Sequence, residues 1–231
     1  MSRHAGRHRK LQRARQIRKR VITVGVIVIF ILVVLVLVWS MFANQPDASQ
    51  VEKNGIPVLV GTKQYSAAPP MLVDQTKNYL AVVRLERGGE FTIQLLVQKA
   101  PITVNSFVFL ARQGYYDGVT FHRVLEGFMA QGGDPTGTGG GGPGYTFGNE
   151  LNDLEFDKAG VVAMANTGQP NSNGSQFFIM FGPYGLKEAD YTIFGQVING
   201  IDVVNNITRR DPNQDPPYPG DMIESITIIE E

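Results

Sequence analysis

FHRVLEGFMAQGGDP, residues Phe121 to Pro135, sets one arginine and one glutamine among phenylalanine, methionine and paired glycines. Successive side chains of a strand point to opposite faces, so Phe121, Arg123 and Leu125 are expected on one face and His122 and Val124 on the other. Arg123 is then held beside apolar residues, a setting in which guanidinium donors bind an acceptor strongly. Two later segments, GVVAMANTG (Gly160 to Gly168) and NSNGSQFFIM (Asn171 to Met180), repeat the mixture of apolar and amide side chains. In the second, Gln176 and Phe178 share a strand face, which puts an amide beside an aromatic ring.

Outward from these segments, YLAVVRLE (Tyr79 to Glu86) and FTIQLLV (Phe91 to Val97) alternate around Arg87-Gly88-Gly89-Glu90 and read as a hairpin. Pro101 opens a helix whose apolar face is Val104, Phe107, Val108 and Ala111, and Gly114 ends it. Strands are expected at Val119 to Val124, Phe128 to Gln131, Val161 to Ala165, Gln176 to Met180, Thr192 to Gln196 and Met222 to Ile229, with a short helix at Ile201 to Ile207. Eight strands and two helices indicate a mainly β barrel or sandwich. A further short strand fits Ile56 to Val60.

Ten of the 26 glycines fall between Gly127 and Gly148. A phosphate cradle needs GxxxxGK[ST] opening a helix, whereas GTGGGGPG (Gly137 to Gly144) lacks the lysine and includes Pro143. It reads as an extended surface loop whose glycines supply positive φ. The usual catalytic sets are missing: there is no Cys, and His122 is the only His beyond residue 20. Thiol chemistry and a His-based zinc cluster are therefore excluded. Asp134, Glu150, Asp153, Glu155 and Asp157 do not follow a calcium-loop spacing and read as solvated loop acids. No metal and no cofactor are expected.

The 231 residues carry 21 Lys+Arg and 21 Asp+Glu, a formal net charge of zero that conceals segregation. Residues 1–20 hold nine Lys/Arg and no acid, leaving 12 basic and 21 acidic groups in the rest. Val21 to Phe42 carries no charge, and a helix of that length spans about 33 Å, enough for a hydrocarbon core of about 30 Å. The apolar run exceeds the roughly 7 to 15 residues of a cleaved signal peptide, and Met41 and Phe42 stand where small residues are needed for cleavage. An uncleaved signal anchor is expected, spanning the cell membrane once, with the basic tail cytoplasmic and the C-terminal domain outside. The tail lacks aromatic interleaving, so no nucleic-acid partner is expected. Residues 43–70, with Pro46, Pro57, Pro69 and Pro70, read as a spacer before a domain over 71–231.

At FHRVLEGFMAQGGDP, MANTG and NGSQFFI, in this order, the chain resembles the cyclophilin family of peptidyl-prolyl cis-trans isomerases in its bacterial form, over about Asn78 to Glu231. The resemblance implies an eight-stranded antiparallel barrel capped by two helices. It implies that Arg123 is catalytic, that Phe128, Met129 and Gln131 give the floor, wall and a polar contact of a proline pocket, and that Ala165 and Asn166 offer a strand edge to the peptide. Gln176 and Phe178 match a further polar contact and the pocket aromatic. In GLKEADYTIFG, Tyr191 stands where many eukaryotic members have His, and Leu186 where they have Trp. The implied partners are proline-containing polypeptides, bound by a monomeric domain, besides the bilayer that the N-terminal helix crosses. The function expected is isomerisation of X-Pro bonds in exported proteins. The alternative is a chaperone-like module that binds Pro segments or unfolded chains without turnover, and Arg123 favours the enzyme because binding alone does not require it.

Overall fold

The computed structural model describes residues 59–61, 63–187, 190–214 and 216–231. The expected basic tail, the membrane span and most of the spacer lie outside these residues. Among the described residues no helix is long and apolar enough to cross a membrane.

Leu59–Gly61 (β1) and Gln64–Tyr65 (β2) pair as a small antiparallel ribbon. Next come Tyr79–Leu85 (β3), Glu90–Leu95 (β4), the helix Pro101–Arg112 (α1), Arg123–Leu125 (β5) and Met129–Gly132 (β6). Val161–Met164 (β7), Phe177–Met180 (β8), Ile193–Asn199 (β9), the short helix Ile201–Asn205 (α2) and Ile223–Glu230 (β10) complete the order. The main sheet has eight strands in the order β10-β3-β4-β9-β7-β8-β6-β5, every pair antiparallel, and forms a half-barrel. All eight strands and both helices expected from the sequence are present, with shifted ends.

The period of two decides what each strand buries. Tyr79, Ala81, Val83 and Leu85 of β3 and Phe91, Ile93 and Leu95 of β4 point inward. The turn between them carries Gly88 and Gly89, each at φ 92°, a conformation L side chains resist. The interior is filled by rings: Phe107 of α1 meets Phe177 edge-on at 5.6 Å and Phe194 at 5.3 Å. Helix α1 packs against β10, and α2 against β4.

Three sequence expectations change. The strand expected over Val119 to Val124 is paired as a strand only from Arg123. Before it, the chain crosses to the start of β10, where Phe121 N–H donates to the Asp221 carbonyl at 2.8 Å and the Val119 carbonyl accepts from Ile223 N–H at 2.9 Å. This crossing ties the two edges of the sheet together and breaks the alternation. Phe121 turns into the core against Phe177, 6.1 Å away, instead of sharing the outward face of Arg123 and Leu125.

Secondly, the acids are not all solvated. Asp134 is fully buried. Glu150 caps α1, accepting from Ile102 N–H at 2.9 Å and Thr103 N–H at 2.7 Å, since Ala100 has no side-chain group to satisfy these free donors. Only Asp153, Glu155 and Asp157 are exposed as expected. Thirdly, the packed body begins before Met71. Tyr65, in the stretch that reads as spacer, is buried against Phe109 and Tyr115.

Candidate active site

Cross-strand register brings the expected residues onto one outward face. Arg123 of β5 lies opposite Gln131 of β6, Gln131 opposite Phe178 of β8, and Phe178 opposite Ala163 of β7. Directly opposite residues share a face, so one row across four strands reads arginine, amide, ring and methyl. The neighbouring row is Leu125, Met129 and Met180. These residues belong to a second apolar cluster, separate from the interior, with Phe156, Val161 and Ile193.

Above the row opens a cavity of ≈ 150 Å³ lined by Arg123, Phe128, Met129, Gln131, Ala165, Asn166, Phe178, Leu186 and Tyr191. Nine of the ten residues singled out in the sequence therefore converge. The tenth, Gln176, lines an adjoining cavity of ≈ 510 Å³, which shares Gln131, Ala165 and Asn166 with the first. Leu186 and Tyr191 both line the smaller cavity.

Rings hold one wall rigid. Phe178 meets Tyr191 edge-on at 5.4 Å and stacks with Phe156 at 5.9 Å. Phe128 stacks at 4.2 Å with Tyr184, which is half exposed at the rim. Sequence reasoning missed Phe156 and Tyr184, since a lone aromatic in a loop has no periodic neighbour to mark its face.

A chain of hydrogen bonds fixes the polar wall. Gln176 Nε2 donates to the carbonyls of Gly139 and Gly141, both at 2.9 Å, so its Oε1 is left to accept from Gln131 Nε2 at 3.0 Å. Gln131 Oε1 then faces Arg123 and accepts from Nη1 at 3.4 Å. Arginine can only donate, so this order suits both amides. The Arg123 guanidinium lies 5.7 Å from the Phe128 ring centre and 3.9 Å from Met129 Sδ. Among the described residues its other donors meet no acceptor.

The glycine loop at the far end of this chain is built around Asp134. Its carboxylate accepts from the N–H groups of Thr136 at 2.7 Å, Gly139 at 2.6 Å and both Thr138 and Gly141 at 3.1 Å. Burial alone pushes its pKa up, but the hydrogen bonds from Thr136, Gly141 and Gly139 outweigh it and hold the carboxyl below the usual carboxylate range. A Cβ on Gly141 would sit 2.1 Å from Asp134 Oδ1, so only glycine fits. The sequence carried a signal for this loop: Asp with Thr two residues on is an Asx-turn pattern. His122, just before β5, is buried, with neither ring nitrogen hydrogen-bonded among the described residues.

Past the end of β7, part of the backbone at Ala165 and Asn166 is unpaired among the described residues. Ala165 N–H donates to the Gln176 carbonyl at 2.9 Å, while the Ala165 carbonyl and Asn166 N–H have no partner among the described residues. The Asn166 side chain is fastened to the Asp190 carbonyl at 2.8 Å.

Comparison with known proteins matches residues 81–228 to the family model of cyclophilin type peptidyl-prolyl cis-trans isomerase/CLD. The chain belongs to the cyclophilin family. It is 48% identical over 146 residues to human peptidyl-prolyl cis-trans isomerase-like 1, covering 61% of this chain and 84% of that one. It is 46% identical over 162 residues to a probable peptidyl-prolyl cis-trans isomerase A of Mycobacterium bovis, covering 61% and 87%. The crystal structure of a Cryptosporidium parvum cyclophilin type isomerase superposes with a TM-score of 0.60 at 32% identity, covering 67% of this chain and 99% of that chain. The same parasite protein, solved in the presence of the dipeptide Ala-Pro, gives a TM-score of 0.59 at 32% identity, covering 66% and 99%. Cyclophilins are peptidyl-prolyl cis-trans isomerases, and this chain is an enzyme of that class.

Proposed function

We propose that the cavity beside Arg123 takes the proline ring of a polypeptide substrate and that Arg123 is the catalytic residue. The observation that carries this reading is the cavity itself: Arg123, whose other donors meet no acceptor among the described residues, lines a pocket beside Phe128, Met129, Phe178, Leu186 and Tyr191, held in place by a chain of amides of fixed polarity. Phe128, Met129, Phe178, Leu186 and Tyr191 anchor the ring. The Asn166 N–H, without a partner among the described residues, holds the peptide backbone through a main-chain hydrogen bond. Gln131 and Gln176 orient the arginine and the carbonyl side of the substrate. The Ala-Pro dipeptide used with the Cryptosporidium relative has the chemistry this pocket would accept.

Rotation about an X-Pro bond must break amide resonance, a barrier of about 18–20 kcal/mol, and no covalent bond is made or lost. In the twisted transition state the proline nitrogen gains a lone pair, and an Arg123 N–H donates to it. The same N–H has no such acceptor in the planar ground state, so the interaction lowers the barrier instead of merely tightening binding. A nucleophile, an acid-base pair and a metal are not needed for this chemistry.

The basic tail, charge-free run and acidic remainder support placing the domain outside the membrane of a bacterial cell. There it assists folding of exported proteins from a single N-terminal anchor. Two experiments test the proposal. In a protease-coupled assay on a prolyl peptide, wild type should accelerate isomerisation and Arg123→Ala should lose that acceleration; equal rates would leave only the binding-module reading. Mass spectrometry of the membrane-extracted protein should recover residues 1–42, whereas a mature chain beginning near Ala43 would refute the anchor.

A further inference from the structure

Residues Lys63 to Ser66 precede the stretch matched by the family model, yet they pack onto the substrate groove. Tyr65 N–H donates to the Pro143 carbonyl at 2.7 Å, at the end of the glycine loop. Gly144 is approached so closely that a Cβ there would lie 2.5 Å from the Tyr65 carbonyl oxygen, and its φ is 89°. The Tyr65 ring is seated in the interior edge-on to Phe109 at 5.0 Å. On its other side Lys63 Nζ donates to the Asp117 carbonyl. Both neighbours thus fasten Gln64, and the exposed Gln64 joins the lining of the larger cavity, with Gln131, Asn166, Thr167, Ser172 and Gln176.

We infer that residues 63–66 form a strap that shapes the larger cavity, and that Gln64 is a specificity-determining residue reading a side chain next to the substrate proline. The inference deepens the proposed reading of the pocket and rests on it. The two cavities share Gln131, Ala165 and Asn166, so a peptide with its proline in the smaller one runs past the larger. At about 3.3–3.6 Å per extended residue, a side chain one or two positions from the proline reaches it. No charged side chain lines the larger cavity, whose polar groups are amides, hydroxyls and loop backbone. Such a lining suits a neutral hydrogen-bonding side chain such as Gln, Asn, Ser or Thr. A charged one would lose hydration there without gaining a counter-charge.

The test uses the full-length chain and labelled hexapeptides with a fixed proline, carrying Gln, Glu or Lys at one of the two positions on either side. Dissociation constants are read by fluorescence anisotropy for wild type, Gln64→Glu and Gln64→Lys, substitutions that an exposed position tolerates. Gln64→Glu should shift the Lys-to-Glu affinity ratio toward Lys by about two- to fivefold, and Gln64→Lys should shift it the opposite way, at one flanking position only. An unchanged ratio at all four positions overturns the inference. So does an equal shift at every position, which would mark a diffuse charge effect. Turnover by wild type on an all-alanine control peptide is measured in parallel. Binding without turnover would sink the isomerase reading of the pocket while the affinity ratios still judged Gln64.

Discussion

Phe177 and Phe178 are adjacent in β8 and identical in chemistry, yet they serve two different regions. Phe177 points inward and is fully buried among Phe107, Tyr116 and Phe121, where rings close on every side. Phe178 points outward into a smaller cluster with Phe156 and Tyr191, and one side of that cluster is left open as a cavity. The interior spends its aromatic surface on cohesion. The outer cluster keeps part of its surface uncovered and sets one guanidinium beside it, which is what a site for a proline ring requires.

The comparison breaks if the two rings prove interchangeable. Phe177→Ala should lose about 3–5 kcal/mol in denaturant unfolding, since a sealed interior relaxes poorly around a void. Phe178→Ala should fall at or below the low end of that range, because its site already borders open space. It should instead lower kcat/KM by about 10- to 100-fold as the proline ring loses an apolar contact. Equal stability losses with unchanged kinetics for Phe178→Ala would refute the division.

A smaller effect sharpens the polar side of the outer region. Gln176→Leu removes the amide that joins the loop carbonyls to Gln131, so Gln131 is free to turn away from Arg123. Loss of a hydrogen bond worth about 1 kcal/mol predicts roughly a fivefold fall in kcat with KM little changed. If KM rises alone, Gln176 serves binding and not the orientation of Arg123.

Glu150→Ala should cost about 1 kcal/mol of stability through the lost cap on α1 and leave isomerisation intact, since among the described residues Glu150 hydrogen-bonds to Ile102, Thr103 and Thr192 and to no residue of the cavity. His122 gives a pH-dependent effect. Burial holds its pKa below the ordinary value, aided by Arg210 and opposed by Asp134. The unfolded chain therefore takes up the proton first, so stability is fully present above about pH 6.5 and declines as the pH drops toward the folded pKa. Tm measured from pH 7 to pH 5 should fall for wild type and fall less for His122→Gln. Asp134, whose pKa is lowered, loses its contribution only below about pH 3.9, outside that window.

Most of the fold could be read in the sequence, because alternation in β3 and β4 and the apolar face of α1 are local patterns. The cavity residues were legible for a different reason: Arg123, Gln131, Gln176 and Phe178 lie in three short segments whose residues resemble a known family. What escaped was long-range. Phe121 was assigned to the wrong face because its backbone partner is Asp221, about a hundred residues away along the chain. Asp134 looked like a surface acid because, beyond the Asx-turn at Thr136, most of its hydrogen-bond donors are backbone amides of the glycine loop, which side-chain identity does not mark. Tyr65 was hidden in a proline-containing stretch, and only the position of Pro143 and Phe109 shows where its ring goes.

The central claim is that the outer cluster binds the proline and Arg123 turns its bond. NMR exchange spectroscopy on a prolyl peptide, with the protein at substoichiometric concentration, separates the two acts. Wild type should produce cis-trans exchange peaks. Arg123→Ala should still shift the peptide resonances on binding but slow the exchange by about 100- to 1,000-fold, the cost of losing one donor aimed at transition-state charge. Exchange by Arg123→Ala as fast as wild type would contradict the account.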